Sequence, residues 1–326
     1  MIGVDIGGTK VAAGLVDQAG QIAMQVRMRM LPAGDAAAGL GAVTAAIDAT
    51  FRKAQLDTTA GEPILGIGIC APGPLDPTNG IVVNPPNVPC WRNYPLAREV
   101  ANLYRIPVKL DNDANAAALA EARWGAGQGY GYVFYATIGT GIGTGVVLDG
   151  RIYHGRTGAA AEGGHVSIDY RGPQCACGKH GCIERLAAGP AIAERARATI
   201  AAEPSRAAGI LDLAGGRADA VSSKHVGRAY SAGDALAAEI LGETVDLLSI
   251  WLGNIIDLLD PDVIVVGGGV SAMLAPFFGR IKDQLPKWCV NSRCQEVPLL
   301  MARYGADAGI AGGAALCYKL IQPGPQ

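Results

Sequence analysis

A glycine-rich turn that occurs twice constrains the fold of this chain more than any other feature. Residues 5–10 read Asp-Ile-Gly-Gly-Thr-Lys, and residues 137–141 read Thr-Ile-Gly-Thr-Gly. Each turn lies between two apolar runs, which predicts a strand, a tight turn and a returning strand. Glycine lets an anion approach main-chain N–H groups without meeting a Cβ atom. Two such turns therefore indicate that the chain grips one polyphosphate from two sides.

The two common nucleotide-binding motifs do not account for these turns. The dinucleotide fingerprint requires G-x-G-x-x-G at the start of a helix, whereas residues 139–143 have another spacing and precede an apolar run. The Gly-Lys-Ser/Thr ending of a P-loop is absent from both turns. A single glycine-rich turn is most often a plain hairpin, so the interpretation rests on the repetition.

Length and composition favour a two-domain α/β enzyme. The chain has 326 residues, of which 50% are hydrophobic and 46 are glycine, which is typical of compact α/β proteins. Its net charge is −2 and no basic run is present, which argues against nucleic-acid binding. No apolar stretch is long enough to span a membrane, and we expect no signal peptide before Asp5. A cytoplasmic protein without nucleic-acid or membrane partners is the expectation.

The apolar pattern predicts strands followed by helices, and this plan is given twice. Such an order indicates two α/β lobes with a cleft between them, and ligands in such proteins bind at strand ends and domain interfaces. Residues 203–229 give little signal. Three strands are predicted within 1–29, further strands at 64–70, 105–111, 132–138, 145–148 and 263–266, and helices at 35–54, 114–124, 190–202, 230–258 and 307–320.

A cluster of cysteines predicts a metal site. His165, Cys175, Cys177 and Cys182 supply one nitrogen and three sulfurs, a set that suits tetrahedral zinc. With every position filled by protein, the zinc would be structural and would organise a loop that has few apolar residues. Ordinary buried thiols are one alternative, and a set in which His180 replaces His165 is another.

Asp113 is the candidate general base. It lies in the run Asp111-Asn112-Asp113-Ala114-Asn115, where a predicted strand meets a predicted helix. Its ordinary role at this place would be that of a helix cap or first-turn residue. Transfer of a phosphoryl group to an alcohol needs a group that accepts the hydroxyl proton, which a carboxylate does. Asn112 offers both a donor and an acceptor to a sugar hydroxyl.

Further polar residues are candidates for contacts with a sugar or a nucleotide. Glu162 and Glu184 flank the cysteine cluster and suit vicinal hydroxyls, although either alone reads as a surface charge. Asn84 and Asn87 lie in a proline-rich loop and are weaker candidates. Residues 267–269 are three glycines after a buried strand, which offer flat backbone for a purine or form a plain strand-to-helix turn.

Together these motifs resemble the ROK family of sugar kinases and repressors, within the actin-like ATPase and sugar-kinase superfamily. The resemblance covers essentially the whole chain, and its most specific part is the cysteine motif with the upstream run Glu162-Gly163-Gly164-His165. It implies an α/β fold of two lobes built from duplicated ribonuclease H-like domains, with an interlobe cleft. The implied lobes are 1–117, joined by the C-terminal helix 307–326, and 118–306 with the zinc loop 165–182.

The resemblance also implies an ATP-dependent hexose 6-kinase, nearest to the glucokinase branch, with glucose as the expected substrate and Asp113 as the catalytic base. N-acetylmannosamine, N-acetylglucosamine and other hexoses stay open as substrates. A catalytically silent sugar sensor and an ATPase of the actin-like or chaperone type stay open as other classes. Family repressors carry an N-terminal helix-turn-helix before the first glycine motif, so the repressor branch is not expected.

The expected ligands are a hexose, ATP with Mg²⁺, and structural Zn²⁺, and a homo-oligomer, dimer or tetramer, is the expected assembly. The sugar contacts that we expect are Asn87, Asn112, Glu162, His165 and Glu184. The zinc ligands that we expect are His165, Cys175, Cys177 and Cys182. The expected ATP contacts are Asp5, Gly7, Gly8, Thr9, Lys10, Gly139, Thr140, Gly141, Gly267, Gly268 and Gly269.

Overall fold

The structure is a computed structural model, and it describes residues 1–30, 34–55 and 64–318. The chain forms two compact units, and its C-terminal segment belongs to the first unit. The lobe boundary predicted after residue 117 falls inside a helix, Asp113–Trp124, that belongs whole to the first unit. The first unit comprises Met1–Gly131, Gly145–Ala161 and the chain from Arg303 onward, and the second comprises Tyr132–Thr144 and Glu162–Ala302.

The strands form two five-stranded sheets of the same order and one small two-stranded sheet. The orders are β3-β2-β1-β4-β7 and β10-β9-β8-β11-β12, with β5 paired to β6. This repetition is the duplicated plan that the sequence predicts. The strands are β1 (Ile2–Ile6), β2 (Lys10–Val16), β3 (Ile22–Arg29), β4 (Ile67–Ala71), β5 (Leu75–Asp76), β6 (Ile81–Val82), β7 (Val108–Asn112), β8 (Tyr132–Ile138), β9 (Ile142–Leu148), β10 (Arg151–Ile152), β11 (Val263–Gly267) and β12 (Leu299–Met301).

The register of each sheet determines which residues lie opposite one another at the first glycine turn and at the strand ends. β1 is antiparallel to β2, with Ile6 opposite Val11 next to the first glycine turn. β4 is parallel to both β1 and β7, and its last residue lies opposite Asn112. β7 therefore runs one residue past its predicted end at Asp111, because the ladder with β4 continues to Asn112. In the second sheet β11 is parallel to β8 and ends at Gly267, opposite Thr137.

Helices connect the strands and cover the sheets. Most lie near their predicted positions, but the single helix predicted at 230–258 is wrong, since the structure has two helices with a break at Gly233 (φ +84°). Residues 319 and 320 of the last predicted helix lie outside the described residues. The helices are α1 (Ala36–Ala54), α2 (Leu96–Tyr104), α3 (Asp113–Trp124), α4 (Ile183–Ala187), α5 (Gly189–Ala202), α6 (Ala208–Leu213), α7 (Ser223–Ser231), α8 (Ala235–Leu259), α9 (Ser271–Leu274), α10 (Phe278–Gln284) and α11 (Ala308–Cys317).

The core of the first unit depends on a close approach between α11 and the sheet. A methyl group at Gly3 would overlap the carbonyl group of Ile310, and one at Gly68 would overlap that of Gly313. Only glycine therefore lets this helix lie directly on β1 and β4. Apolar side chains such as Ile47 and Trp91 are fully buried around the sheet, and burial of each such side chain contributes roughly 1.5–3 kcal/mol.

Across residues 1–30, 34–55 and 64–318, we find no helix with the length and apolar character that a membrane crossing requires.

Candidate active site and metal centre

The first glycine turn lies against the proline-rich loop. The N–H of Gly7 donates to the carbonyl of Lys10 at 2.9 Å and closes the turn between β1 and β2. A Cβ atom at Gly8 would lie 3.0 Å from the carbonyl oxygen of Asn87. Neither Gly7 nor Gly8 has a positive φ, so crowding by the Asn87 backbone, not backbone handedness, favours glycine at residue 8. A predicted phosphate turn and a predicted sugar contact are thus neighbours in the first unit.

Two carboxylates of the first unit influence each other electrostatically. Burial, followed by the negative charge of Asp113, raises the pKa of Asp5 to about 6. Asp113 is exposed and is the first residue of α3, directly after β7. An acidic side chain at this end of a helix is favoured by the helix dipole. The structure therefore brings an exposed carboxylate and a partly buried one into one electrostatic site beside the first glycine turn.

The cap of α3 is Asn112, not Asp113. The Oδ1 atom of Asn112 accepts the N–H of Ala114 at 2.9 Å, which is the usual contact of an N-cap side chain. The Oδ1 atom of Asp113 accepts the same N–H at 2.8 Å, so Asp113 has the first-turn role that its position predicts. The cap fixes the side chain of Asn112, which was predicted to contact a sugar, through a backbone contact of its own helix.

A polar cluster behind this junction was not predicted. Asp111 is buried, and its Oδ1 accepts the backbone N–H of Asn112 at 2.8 Å and the Nδ2 of Asn115 at 3.2 Å. Its Oδ2 lies 2.7 Å from Nε2 of His154. The sequence pattern gives Asp111 and Asn115 no role beyond their place in the run around Asp113. It predicts nothing for His154, because this residue is distant from them in sequence.

The backbone beside the second glycine turn binds the carboxylate of Glu184. The N–H of Gly139 donates to the carbonyl of Gly141 at 2.9 Å, and the N–H of Ile142 donates to Oε2 of Glu184 at 2.9 Å. A Cβ atom at Gly141 would overlap this carboxylate. Glycine at 141 therefore lets the carboxylate of Glu184 approach the turn. No heavy atom lies within 4 Å of a Cβ at Gly139, which leaves space there for a ligand.

A cavity of about 480 Å³ opens beside this turn in the second unit. Gly139, Thr140 and Gly269 line it, together with Ser223 and Lys224 at the start of α7. Arg197 also lines it and donates to the carbonyl of Val221 at 2.8 Å, which ties α5 to the segment before α7. The stretch 203–229, which gave little sequence signal, thus supplies one wall of a cavity at the predicted nucleotide turns.

The three glycines after β11 have different roles. Gly267 is buried, and a Cβ atom there would lie 2.8 Å from the hydroxyl of Tyr135. Gly268 has φ +92°, and its position is crowded by the backbone of Ile138. Gly269 is exposed and lines the cavity. Gly267 and Gly268 therefore serve packing and chain direction, and Gly269 is the one of the three that faces this cavity.

The predicted metal ligands lie together. The ligand atoms of His165, Cys175, Cys177 and Cys182 are all within 4.8 Å of one another. Nδ1 of His165 lies 3.6 Å from Sγ of Cys175, and the Sγ atoms of Cys177 and Cys182 are 3.6 Å apart. His180 is not part of this cluster, because its Nδ1 lies 3.1 Å from the carbonyl of Gly172.

The two separations of 3.6 Å match those around a tetrahedral zinc ion. Zn–S bonds of ~2.3 Å and Zn–N bonds of ~2.0 Å imply ligand–ligand separations of roughly 3.5–3.8 Å. Cys175 and Cys182 are buried and Cys177 is exposed. Gly181 has φ +64°, and a methyl group there would overlap the carbonyl of Asp169, so the tight loop requires glycine at this position. The donor set is compatible with a closed structural zinc site.

The protonation of the thiols follows their surroundings. Burial, followed by the neighbouring thiols, raises the pKa of Cys182 to about 12, whereas a backbone hydrogen bond from Lys179 lowers the pKa of Cys177. Without an ion Cys182 is therefore a neutral thiol. A bound cation favours the thiolate, so metal binding there releases a proton.

The metal cluster adjoins two of the predicted sugar contacts. Oε1 of Glu184 lies 4.0 Å from Nδ1 of His165. Cys182 directly precedes α4, the helix that carries Glu184. Glu162 is exposed and precedes the short 3₁₀ turn Gly163–His165, whose Gly163 N–H donates to the hydroxyl of Thr144 at 2.8 Å. The second unit thus collects the predicted sugar contacts Glu162, His165 and Glu184 around one loop.

Comparisons with known proteins agree along the whole chain. The sequence profile of the ROK family matches residues 1–319. A glucokinase of Thermotoga maritima is 35% identical over 323 residues, which cover 98% of each chain. An N-acetylmannosamine kinase of Escherichia fergusonii is 32% identical over 97% of each chain.

A solved structure gives the same result for the fold. The crystal structure of a ROK family glucokinase from Streptomyces griseus, in complex with glucose and AMPPNP, matches with a TM-score of 0.82 at 35% identity, over 98% of this chain and 99% of that chain. This likeness confirms the predicted α/β fold of the actin-like ATPase and sugar-kinase class. The chain belongs to the ROK family.

Proposed function

We propose that this protein is an ATP-dependent kinase that transfers the γ-phosphoryl group of ATP to the 6-hydroxyl of glucose. Its family membership and its full-length similarity to a glucokinase support a sugar phosphotransferase. The observation that carries the mechanism is the exposed carboxylate of Asp113, the first residue of α3, in one electrostatic site with Asp5. A carboxylate placed in this way suits the removal of a proton from an alcohol.

The reaction balances with Asp113 as the base. The 6-hydroxyl oxygen attacks the γ-phosphorus, the bond from that phosphorus to the β–γ bridging oxygen breaks, and ADP leaves with the bridging oxygen. The hydroxyl proton passes to the carboxylate of Asp113. Phosphoryl transfer of this kind depends mainly on positioning and on neutralising the charge of the phosphate oxygens.

The first unit would supply part of the phosphate site. The turn at Gly7, Gly8 and Thr9 exposes backbone next to Asn87, and we assign it to the γ-phosphate, with Lys10 beside it. Mg²⁺, when bound with ATP, neutralises charge on the phosphate oxygens. Asp5 is the residue that we assign to this ion through a water molecule. A carboxylate with a pKa near 6 is largely ionised at neutral pH, which suits this role.

The second unit would supply the nucleotide and sugar contacts. We assign Gly139 and Thr140 to the β- and γ-phosphates and the 480 Å³ cavity, with Gly269 and Lys224, to the nucleoside. Glu162 and Glu184 are the proposed acceptors for sugar hydroxyls in this unit, and Asn112 is the proposed acceptor in the first unit. If Nδ1 of His165 is a metal ligand, the ring proton is on Nε2, which makes that nitrogen a donor to a sugar oxygen.

Zinc would act as a structural cross-link. The ligands are His165, Cys175, Cys177 and Cys182, and they leave no coordination position for a substrate. The ion would connect the residue before α4 to the turn that follows Glu162. It would therefore fix Glu184 and His165 relative to each other and would not take part in the transfer of the phosphoryl group.

For the identity of the sugar substrate, one alternative has specific support. The similarity to an N-acetylmannosamine kinase, at 32% identity, keeps N-acetylhexosamines as the second candidate class. ADP release measured with glucose, fructose, mannose, N-acetylglucosamine and N-acetylmannosamine tests the proposal. We expect the largest kcat/KM with glucose and a product phosphorylated at the 6-position.

Three outcomes would overturn the proposal. Preference for an N-acetylhexosamine would reject glucose as the substrate, and ATP turnover that no sugar stimulates would indicate an ATPase. A catalytically silent sensor would bind glucose without any ADP release. A cytoplasmic location and a dimeric or tetrameric assembly stay predictions, and light scattering of the purified protein tests the assembly.

A further inference from the structure

The buried carboxylate of Asp111 is held by three donors, two from the β7–α3 segment and one from His154. Its Oδ1 accepts the N–H of Asn112 at 2.8 Å and the Nδ2 of Asn115 at 3.2 Å. Its Oδ2 lies 2.7 Å from Nε2 of His154, which follows β10 in the chain. The Asp111 side chain is 5% exposed and that of His154 is 36% exposed. A carboxylate that is buried to this extent is stable only when its oxygens are satisfied, and here one donor to Oδ2 comes from outside the strand–helix segment.

The direction of each hydrogen bond follows from chemistry. A carboxylate only accepts, so Nε2 of His154 carries a proton and Nδ2 of Asn115 is the donating atom. Asn115 is 4% exposed and its Oδ1 has no hydrogen-bond partner in the part of the chain that the structure describes. An amide that leaves its own oxygen unsatisfied while it donates to Asp111 indicates that satisfying this carboxylate determines the local arrangement.

The cluster of Asp111, Asn115 and His154 affects the orientation of Asp113 through the backbone. Asp111 and Asn112 are the last residues of β7, and Asp113 is the first residue of α3. The carboxylate of Asp111 holds the N–H of Asn112, the residue that caps α3, and the side chain of Asn115 in the first turn. The orientation of that turn, on which Asp113 lies, therefore depends on Asp111, and Oδ2 of Asp111 depends on His154.

We propose that His154 is a positioning residue for catalysis. Its Nε2–H holds Asp111, and Asp111 holds the β7–α3 junction so that the carboxylate of Asp113 keeps one orientation. This inference rests on the proposed function, because it takes Asp113 as the general base. His154 acts through Asp111 and is not assigned any contact with the substrates.

Two substitutions of His154 separate positioning from bulk packing. His154→Ala removes the donor, and His154→Gln keeps an N–H donor on a side chain of similar reach. Tyr153→Phe is the matched control, because Tyr153 is the half-exposed neighbour of His154 and has no assigned role. We expect His154→Ala to lower kcat about tenfold, with the KM values for glucose and ATP within about twofold of wild type, since misorientation of one reacting group affects the chemical step first. His154→Gln should recover kcat to within about threefold of wild type. The control, Tyr153→Phe, should have the kcat of wild type.

Hydrogen exchange gives a second readout that needs no substrate. A peptide spanning 108–117 should exchange faster in His154→Ala than in wild type and should be unchanged in His154→Gln. Wild-type kcat in His154→Ala, or a Gln variant as impaired as the Ala variant, would overturn the inference. Unchanged exchange in His154→Ala would also overturn it. If the wild-type protein has no sugar kinase activity, the proposed function fails, and the exchange result still decides whether His154 holds the junction.

Discussion

Glu184 accepts the backbone N–H of Ile142 through Oε2 at 2.9 Å, so a predicted sugar contact is fixed to the residue that directly follows the second glycine turn. The other oxygen of the same carboxylate lies 4.0 Å from Nδ1 of His165, next to the cysteine cluster. One side chain therefore joins the predicted phosphate turn to the predicted metal loop within the second unit. Movement of either loop would move Glu184.

Substitution of Glu184 should affect sugar binding more than nucleotide binding. Glu184→Gln keeps the size of the side chain and one acceptor but removes its charge. Hydrogen bonds that involve a charged group contribute ~1.5–3 kcal/mol, so we expect the KM for glucose to rise roughly 10–100-fold. The KM for ATP should change less than about threefold. Steady-state kinetics with each substrate varied in turn measures both values.

The matched control is Glu203→Gln, an exposed glutamate just after α5. Its ion pair with Arg206, at 3.9 Å on the surface, contributes ~0–1 kcal/mol, and kinetics should be unchanged. An unchanged KM for glucose in Glu184→Gln would contradict the assignment of Glu184 to the sugar.

Asp5 should reduce stability at neutral pH. Burial and the charge of Asp113 raise its pKa from 3.8 to about 6, so the folded protein favours the protonated form. The stabilisation from this preference is fully present below about pH 4 and is lost as the pH rises through about 6. A shift of about two pKa units corresponds to ~3 kcal/mol. Asp5→Asn should therefore raise the free energy of unfolding by up to ~3 kcal/mol at pH 8 and by little at pH 4.

Urea denaturation of wild type and Asp5→Asn at both pH values measures this difference. Kinase activity should fall in the same variant, because a carboxylate proposed to serve Mg²⁺ is lost, and stability gained at a functional site often lowers activity. Asp149→Asn is the control, with changes within about 0.5 kcal/mol expected at both pH values. Equal effects of Asp5→Asn on stability at pH 4 and pH 8 would show that ionisation of Asp5 is not the cause.

Loss of one cysteine should empty the metal centre. Cys177→Ala removes an exposed ligand whose side chain contributes little packing, so we expect bound zinc to fall from about one ion per chain to nearly none. Hydrogen exchange should accelerate across residues 162–184, and glucose affinity should weaken, because Glu184 and His165 lose their common anchor. Cys90→Ala, outside the cluster, is the control for metal content.

Elemental analysis of the two cysteine variants measures their zinc content and tests the structural role of the ion. Full zinc content in Cys177→Ala, or wild-type glucose affinity in protein that has been stripped of metal, would contradict the structural role of the ion.

Lys224 should contribute to nucleotide affinity. It lines the 480 Å³ cavity beside Thr140 and Gly269, where a cation would attract phosphate. One exposed charge about 4 Å from a phosphate oxygen contributes ~1 kcal/mol in water, so Lys224→Met should raise the KM for ATP about fivefold and leave the KM for glucose unchanged. Lys282→Met on α10 is the control. A rise in the KM for glucose alone would place Lys224 outside the nucleotide site.

Local patterns predicted the parts of the structure that depend on neighbours in sequence. The hairpins around both glycine turns, the helix after Asn112 and the metal cluster follow from backbone preferences and ligand spacing over short ranges. The break before α8 also had a local signal that the helix prediction ignored. Gly233 ends one helix, and the side chain of Asp234 caps the next by accepting the N–H of Ala237 at 2.8 Å.

Long-range partners could not be predicted in this way. His154 meets Asp111 only because β10 and the β7–α3 junction come together in the fold. The role of Gly141 depends on Glu184, and the role of residues 222–224 depends on a cavity that α5, α7 and the glycine after β11 form together. A sequence pattern identifies which residues can bind, whereas the tertiary packing decides what each of them contacts.

The central claim is that Asp113 takes the proton of the sugar hydroxyl, and Asp113→Asn tests it most directly. Asparagine keeps the shape of the side chain and its place in the first turn of α3 but is not a base. ADP release with saturating glucose and ATP, compared with glucose binding by calorimetry, separates catalysis from affinity. We predict that turnover falls at least about a hundredfold while the Kd for glucose stays within about threefold of wild type. Turnover within a few-fold of wild type would contradict the account.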